Sequence, residues 1–435
     1  MSASATRAQP VAEPLAVTLA SQAGALADAA VRDDALSAWR AEARQQLAGL
    51  PFPSARTEQW KYTRLSVLEK GYLARTAPAL SEANLPFALP AALAPYRLVL
   101  INGRYQPALS TLPAQGVTLT RLDGSEAVAL TVTQDSLRTP FAWLNSAALE
   151  DGLVLHIADN VALDGPVEVL LVSSGDETAV CHPRLRLHLG AHSKATLLER
   201  YTGGGQVLTN AVTELFTGAG STLMHYRLQA EQDDALHIGT LVLNPGRDSE
   251  ASSVQLMQGS ALRRNDVRVL LDGSGAHARL NGIFVGRGSS HTDNQICVEH
   301  RVPHATSEQN FKGMAGDKAK LVFNGRIHIF EGARGTSAEL SNKNLLLTNG
   351  AEVNTKPELE IYNDDVKCSH GTTCGQLDAQ ALFYLRARGV PADDAKRMLA
   401  FGFVNELLAA LPDDAVAEWA QPWLEQALAG AAEAV

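Results

Sequence analysis

Short runs of leucine and β-branched residues alternate with glycine-containing turns over most of the chain, from about Tyr96 onwards. Apolar runs of this length between turn residues are typical of β-strands. The turns recur at a nearly constant distance, because Gly190, Gly218, Gly246 and Gly273 are almost evenly spaced along the chain. A regular spacing of this size predicts a β-solenoid, in which each coil buries its apolar face by stacking on its neighbours. The pattern leaves an irregular β-sandwich open as the alternative.

The N-terminal region has a helical period instead. Leu36, Trp39, Ala43 and Leu47 fall on one side of a helix, so we predict an amphipathic helical segment between about residues 15 and 47. Short helices and turns are expected to follow. The segment 1–14 is rich in Ser, Ala, Gln and Pro without any period, and we expect it to be disordered.

Three further helices are predicted after the β-rich core. Asp378 suits the N-cap of the first helix and Gly389 its C-terminal end. Pro391 suits the first position of the second helix, and the third would begin at about Asp414. The chain is therefore predicted to have four parts, namely a disordered segment at 1–14, an N-terminal helical domain at 15–95, a β-helix core at 96–375 and a C-terminal helical domain at 376–435.

Composition and charge narrow the function classes. Of the 435 residues, 46% are hydrophobic and 19% charged, which is ordinary for a folded globular protein. The formal net charge of −10 argues against nucleic acid or an anionic membrane surface as a partner. No stretch is apolar over the roughly 18 residues that a membrane helix needs. Four cysteines are too few for a disulfide framework, so we expect a cytoplasmic protein with reduced thiols.

The candidate chemistry lies in the stretch Lys356–Gly375, which reads KPELEIYNDDVKCSHGTTCG. In an extended strand the side chains of Cys368 and His370 would point the same way. A thiolate beside an imidazole can bind a soft transition metal or an iron–sulfur species. The set is incomplete for a structural zinc site, which suits a site that a second chain completes. The alternative is a buried thiol beside a structural histidine, and we expect Cys374 to be a bystander.

Three segments carry a family resemblance. The first reads KPELEIYNDDVKCSHGTTCGQLD and is followed by LFYLRARGV and MLAFGFVNELL. The others are RTEQWKYTRL at Arg56–Leu65 and the block His300–Ile329. Together they resemble the SufD family, whose members are subunits of the SufB–SufC–SufD scaffold for iron–sulfur cluster assembly. The resemblance extends from about residue 50 to about residue 411.

The resemblance implies a mainly β fold, a right-handed parallel β-helix flanked by helical domains. It also implies that His370, with Cys368 in support, supplies ligands to a transient iron–sulfur cluster or iron. That cargo would be shared at the interface with a SufB-type paralogue. The resemblance leaves open whether the isolated chain forms a homodimer.

A second candidate surface lies on the predicted helix 391–411, whose apolar residues cover much more than the single stripe that one core requires. Central burial among the other helices is one explanation, and contact with a partner is the other. The resemblance favours the partner, because the C-terminal helices of the family dock SufC, an ABC-type ATPase. The candidate partner-binding residues are Met398, Leu399, Phe401, Phe403, Val404 and Leu407.

The function expected from these features is that of a non-catalytic scaffold subunit. The chain lacks a P-loop motif, so we expect it to bind no nucleotide itself. The nearer alternative is a SufB-type paralogue, but this chain reads SHGTT where SufB reads HEATT, and no cysteine precedes Cys181. The more distant alternative is a β-helix enzyme acting on carbohydrates, which would need a carboxylate cluster on the coils that the sequence does not offer.

The remaining polar motifs are interpreted as structural. His300 and His304 have a spacing that would pair them on a helix, but Pro303 and the surrounding pattern indicate strand and loop. We therefore expect them to line the corners of the β-helix. Trp60 and Tyr62 are expected to pack between the N-terminal helices and the first coil.

Overall fold

The computed structural model describes residues 14–54, 56–63, 65–125, 137 and 139–429. The predicted disorder at 1–14 lies outside the described residues except for Pro14, where the first helix begins. The chain forms a parallel β-solenoid, with helices before it and after it in the sequence, which confirms the predicted fold class. None of the helices within the described residues combines the length and apolar composition needed to cross a lipid bilayer.

Two helices form where the sequence predicted one continuous segment, namely α1 (Pro14–Ala29) and α2 (Ser37–Gly49). Asp34 separates them, since its carboxylate accepts a hydrogen bond from the Leu36 amide at 2.9 Å. The predicted stripe of Trp39, Ala43 and Leu47 is buried on α2. Short 3-10 helices follow, as expected, at Glu58–Trp60, Leu65–Lys70, Tyr72–Ala74 and Glu82–Asn84.

The solenoid is built from two ladders of parallel strands. The first ladder contains β1 (Tyr96–Ile101), β5 (Val167–Cys181), β7 (Lys194–Thr217), β8 (Thr222–Gln229), β10 (Glu250–Gln258), β12 (His277–Gly286), β14 (Thr306–Ala315), β16 (Thr336–Leu346) and β18 (Val366–Gln376). The second contains β4 (Leu153–Ile157), β6 (Arg184–Leu189), the second half of β7, β9 (Leu236–Asn244), β11 (Leu262–Leu271), β13 (His291–His300), β15 (Lys320–Ile329) and β17 (Glu352–Ile361). At the N-terminal end, β2 (Arg104–Tyr105) and β3 (Val117–Arg121) pair antiparallel with β1 and β4.

The glycine period has a direct physical cause. A Cβ atom on Gly218 would lie 2.5 Å from the backbone nitrogen of Ala191, and one on Gly273 would lie 2.3 Å from the carbonyl carbon of Gly246. Successive turns therefore stack with their backbones in contact, which only glycine permits. Glu250 is in register with His277, so one coil has the same length as the interval from Gly246 to Gly273, in agreement with the prediction.

His304 lies at a different corner of the solenoid. This residue has a left-handed backbone conformation with φ of 62°. Its ring lies where a Cβ on Gly335 of the next coil would be, at 2.5 Å from Nδ1. His304 and Gly335 can therefore stack in successive coils, because Gly335 has no side chain.

One helix lies inside the region that was predicted to contain only strands. α3 (Pro140–Ala147) is capped by the Thr139 hydroxyl, which accepts a hydrogen bond from the Ala142 amide at 3.2 Å. All eight of its residues are buried, and Asn145 donates to the backbone carbonyls of Pro183 and Asn210. A short helix buried on all sides has no amphipathic period, so the sequence pattern did not reveal it.

The C-terminal helices are α4 (Ala379–Arg386), α5 (Ala392–Ala409) and α6 (Asp414–Ala429). Asp378 caps α4 as predicted, whereas Pro391 is the N-cap of α5 and not its first helical residue. α5 and α6 cover the outer face of the first ladder, where Val404 packs in one cluster with Ile283 and Met314. The core of the solenoid itself lies between the two ladders.

Candidate functional site

The last coil of the solenoid is open. β17 pairs with β15 and β18 pairs with β16, and no described strand pairs with their other edges. Exposed strand edges present unpaired N–H and C=O groups that invite another strand. The candidate residues Cys368 and His370 lie on β18, at this open end.

Cys368 and His370 share the face of β18 that continues the solenoid interior. Cys368 is in register with Ala338 and His370 with Leu340, and both partners are buried in the core. Cys368 is half-buried and packs against that core, whereas His370 is exposed. The predicted common orientation of the two side chains therefore agrees with the strand register.

The backbone groups of the same two residues face the open edge. In a parallel ladder, alternate residues direct their N–H and C=O groups to opposite neighbours. The Leu347 amide bonds to the Ala315 carbonyl at 2.8 Å, so odd residues of this region of β16 bond to β14 and even ones to β18. On β18, in turn, odd residues bond to β16. The N–H and C=O groups of Cys368 and His370 thus point away from the solenoid.

Burial favours the protonated form of both thiols at this end. Burial raises the pKa of Cys368, and a hydrogen bond with the backbone of Ala338 offsets part of that rise. Burial also raises the pKa of Cys374. Because the thiolate is the form that binds metals, loading this site must release a proton from Cys368.

The donor set of Cys368 and His370 is incomplete among the residues that the structure describes. Across the described part of the chain, no three His, Cys, Asp or Glu side chains converge in a way that could hold a metal ion. Cys374 lies on the same face as His370 but further along the strand, about 13 Å away at about 3.3 Å per residue. It cannot share one ion with Cys368 on this strand. A sulfur and an imidazole nitrogen suit iron or an iron–sulfur cluster, provided that other ligands come from elsewhere.

The six candidate partner-binding residues of α5 fall into two groups. Val404 and Leu407 are buried against the solenoid and α6, so they are not at the surface. Phe401 and Phe403 are half-buried against the same cluster, and Leu399 is half-buried. Met398 alone is well exposed, at 54%.

Two aromatic residues that the sequence reading did not single out are more exposed. Phe383 and Tyr384 on α4 are 74% and 55% exposed, although a residue of their size is usually covered. α4 packs against α5. We call Phe383, Tyr384 and Met398 the α4–α5 surface. The signal in the sequence is the pair of adjacent aromatic residues, and the structure buries no residue of this short helix.

Lys312 on β14 is another residue that sequence reasoning missed. Its ammonium group is buried beneath α5, where it donates to the Phe403 carbonyl at 2.9 Å and to Glu406 at 2.9 Å. A buried lysine needs such partners because an unpaired charge is costly away from water. This contact anchors α5 to the solenoid.

The structure corrects two of the positions expected for the motifs that were interpreted as structural. His300 is buried inside the solenoid and bonds to the Ser307 hydroxyl at 2.9 Å, so only His304 lies at a corner. The pair does not converge. Trp60 packs beneath the Arg264 guanidinium of β11, 3.7 Å from its ring centre, while Tyr62 is exposed. The segment therefore lies on a middle coil, where long-range packing places it, and not on the first.

Comparison with known proteins agrees with this arrangement. Residues 171–403 match the family model described as SUF system FeS cluster assembly, SufBD core domain. The chain is 31% identical over 406 residues to the iron–sulfur cluster assembly protein SufD of Escherichia coli, covering 89% of this chain and 92% of that protein. It is 32% identical to an iron–sulfur cluster assembly SufBD family protein of Synechocystis, covering 86% and 87% of the two chains. The chain therefore belongs to the SufBD family of the SUF system for iron–sulfur cluster assembly, and within it is of the SufD type.

Proposed function

We propose that this protein is a non-catalytic scaffold subunit that holds a nascent iron–sulfur cluster, or its iron, together with a SufB-type paralogue. The observation that carries the proposal is the position of Cys368 and His370. Both side chains lie at the open end of the solenoid, on the face that continues its interior, and the backbone N–H and C=O groups of both residues face the open edge. Two metal-binding side chains beside an unpaired strand edge form an incomplete ligand set, which a second chain can complete.

Strand pairing supplies the missing ligands in this proposal. A partner strand that adds to β18 bonds to the free N–H and C=O groups of Cys368 and His370. In an antiparallel pair, side chains directly opposite each other on one face have Cβ atoms about 4.5–5.5 Å apart. The residues of the partner strand that face Cys368 and His370 are therefore close enough to bind the same cluster.

The protonation chemistry suits a transient cargo. Burial raises the pKa of Cys368, so protons compete with the cluster for this sulfur. Cys368 and His370 are the two ligands proposed from the described part of this chain, so the cluster would depend on the partner strand for its other bonds. Separation of the two strands would then release it.

The C-terminal helices are proposed to dock a SufC-type ATPase through the α4–α5 surface. Exposed aromatic and thioether side chains of this kind are enriched at protein interfaces. Only Leu377 and Asp378 separate β18 from α4, so a movement of the docked helices reaches the ligand-bearing strand directly. The ATPase would supply the nucleotide chemistry of the complex.

The test uses complexes of the full chain with SufB-type and SufC-type partners, purified without oxygen. Iron, sulfide and visible absorbance are measured for the wild type and for His370→Ala and Cys368→Ala. Cys374→Ala is the matched control, because its thiol lies on the same strand but out of reach of the pair. We expect cluster content to fall for the first two variants and to stay unchanged for the control, with all complexes intact by gel filtration. Wild-type cluster content in His370→Ala would overturn the proposal.

A further inference from the structure

Two histidines lie next to each other on the outer surface of the first coils, at the opposite end of the solenoid from β18. His156 on β4 is in register with His188 on β6, and the two strands are parallel neighbours. The adjacent residues Leu155 and Leu187 belong to the core, so both histidines face outwards. Residues in register on neighbouring strands have backbones about 4.8 Å apart and side chains on the same face.

The two imidazole rings differ in their freedom. The ring of His188 stacks on Phe216 of the next coil, with ring centres 5.1 Å apart and planes inclined by 10°. This contact holds the half-buried ring of His188, whereas the exposed side chain of His156 is free to turn towards it. In the described part of the chain neither imidazole has a hydrogen-bond partner, so the nitrogens of both rings can bind a ligand.

The surroundings favour the neutral form of His188, which is the form that binds metals. Burial is the main cause of its lowered pKa, and the charges of Arg186 and His156 lower it further, while Glu214 opposes them. Arg186 is itself held by Glu214 at 3.0 Å, so these two charges act on His188 in opposite directions. The influence of His156 also means that the two rings are close enough for their charges to interact.

We infer that His156 and His188 form a binding site for a divalent ion of the late first transition series, such as Zn²⁺, Ni²⁺ or Cu²⁺. Imidazole is a favoured ligand of these ions. A tetrahedral Zn²⁺ bound at about 2.0–2.1 Å keeps its nitrogen ligands about 3.3 Å apart, which side chains on neighbouring strands can reach. Water completes the coordination, so binding is reversible. The inference is independent of the proposed cluster site.

An ion bound in this way links β4 to β6 and stabilises the folded chain, because the unfolded chain does not hold the two histidines together. The experiment measures Zn²⁺ binding to the metal-free, full-length chain by isothermal titration calorimetry, and the melting temperature with Zn²⁺ or Mg²⁺. The variants are His156→Gln and His188→Phe, the second of which keeps an aromatic ring against Phe216. Cys368 and His370 are unchanged in them, so the difference from wild type reports the histidine pair alone.

We expect each variant to weaken Zn²⁺ binding at one site by at least about tenfold, the lower end of what even an outer partner of a metal ligand costs. Each should also lose part of the Zn²⁺-dependent rise in melting temperature, and Mg²⁺ should raise it in no chain. The double variant should bind no more weakly than either single variant, because one ion needs both rings.

His192→Asn is the matched control, since His192 is an exposed histidine at a corner whose φ of 56° asparagine tolerates. It should bind Zn²⁺ as wild type does. Wild-type affinity and stoichiometry in folded His156→Gln or His188→Phe would overturn the inference. That result would leave the cluster proposal unchanged, because neither histidine lies near β18.

Discussion

His370 is the in-register partner of Leu340 on the neighbouring strand, yet the two side chains have opposite environments. Leu340 is 3% exposed inside the solenoid, whereas His370 is exposed because no described coil lies beyond β18. The same interior position thus changes from core to surface over one strand spacing. The candidate ligand site is the unfinished end of the hydrophobic core.

This relationship predicts that replacement of Leu340 costs much more stability than replacement of His370. Leu340→Ala should lower the free energy of unfolding by about 2–5 kcal/mol, because it leaves a cavity in the core. His370→Ala should change it by no more than about 0.5 kcal/mol, as is usual for surface positions. Chemical denaturation of the two variants measures both values. A large loss of stability in His370→Ala would mean that this histidine has a structural role.

The stacked turns predict which glycines can be replaced. Gly273→Ala should destabilise the protein by about 1–3 kcal/mol, because its Cβ would be 2.3 Å from the backbone of Gly246. Gly332→Ala is the matched control, since a Cβ there meets no atom within 4 Å. Melting temperatures of the two variants decide the question. Equal melting temperatures would contradict backbone stacking as the cause of the glycine period.

Buried histidines predict a loss of stability in mild acid. Burial lowers the pKa of His300 to about 4 in the folded state, while the unfolded chain has a value of about 6.5. The unfolded state therefore binds more protons, and stability falls as the pH drops from about 6.5 to 4. His300→Gln should remove up to about 1.4 kcal/mol per pH unit from that slope.

Urea unfolding between pH 7.5 and 4.5 measures this slope. His304→Gln is the control, because its ring lies at a corner of the solenoid and not in the interior. An identical pH dependence in wild type and His300→Gln would show that His300 is not held neutral by burial.

The contacts between Lys312 and α5 predict that replacement of this lysine loosens α5 alone. Lys312→Met should remove the hydrogen bond to the Phe403 carbonyl and the ion pair with Glu406 while keeping most of the side-chain volume. The cost should be about 1–3 kcal/mol, as for hydrogen bonds of charged groups. Hydrogen exchange should increase in α5 and stay unchanged in β8 and β10. Lys194→Met, at an exposed position at the start of β7, serves as the control.

The α4–α5 surface predicts which apolar residues contact the ATPase. Phe383→Glu and Met398→Glu should abolish co-purification with a SufC-type ATPase without unfolding the chain, because both side chains are exposed. Val404→Glu should unfold the C-terminal helices instead, since it places a charge in the core. Val31→Glu is the control, an exposed apolar residue that follows α1 in the N-terminal region. Retained co-purification of Phe383→Glu would exclude this surface.

The sequence alone predicted features that depend on local geometry. The spacing of Gly218 and Gly246 revealed the coil length, because stacked backbones require glycine once in each coil. The alternation of side chains along an extended strand predicts that Cys368 and His370 share one face. The residue type and position of Asp378 predict a helix cap. In the structure its carboxylate accepts hydrogen bonds from the amides of Gln380 and Ala381.

Only the tertiary structure decided which surfaces are covered. Val404 and Phe383 are equally apolar in sequence, but the first packs on the solenoid and the second is exposed. The open edge of β17 depends on the pairing of its other edge with β15, a strand of the preceding coil that is not its neighbour in sequence. Burial and strand register are set by long-range packing, which a local pattern of residues does not encode. The open end that makes His370 a candidate ligand is visible only when the coils are stacked.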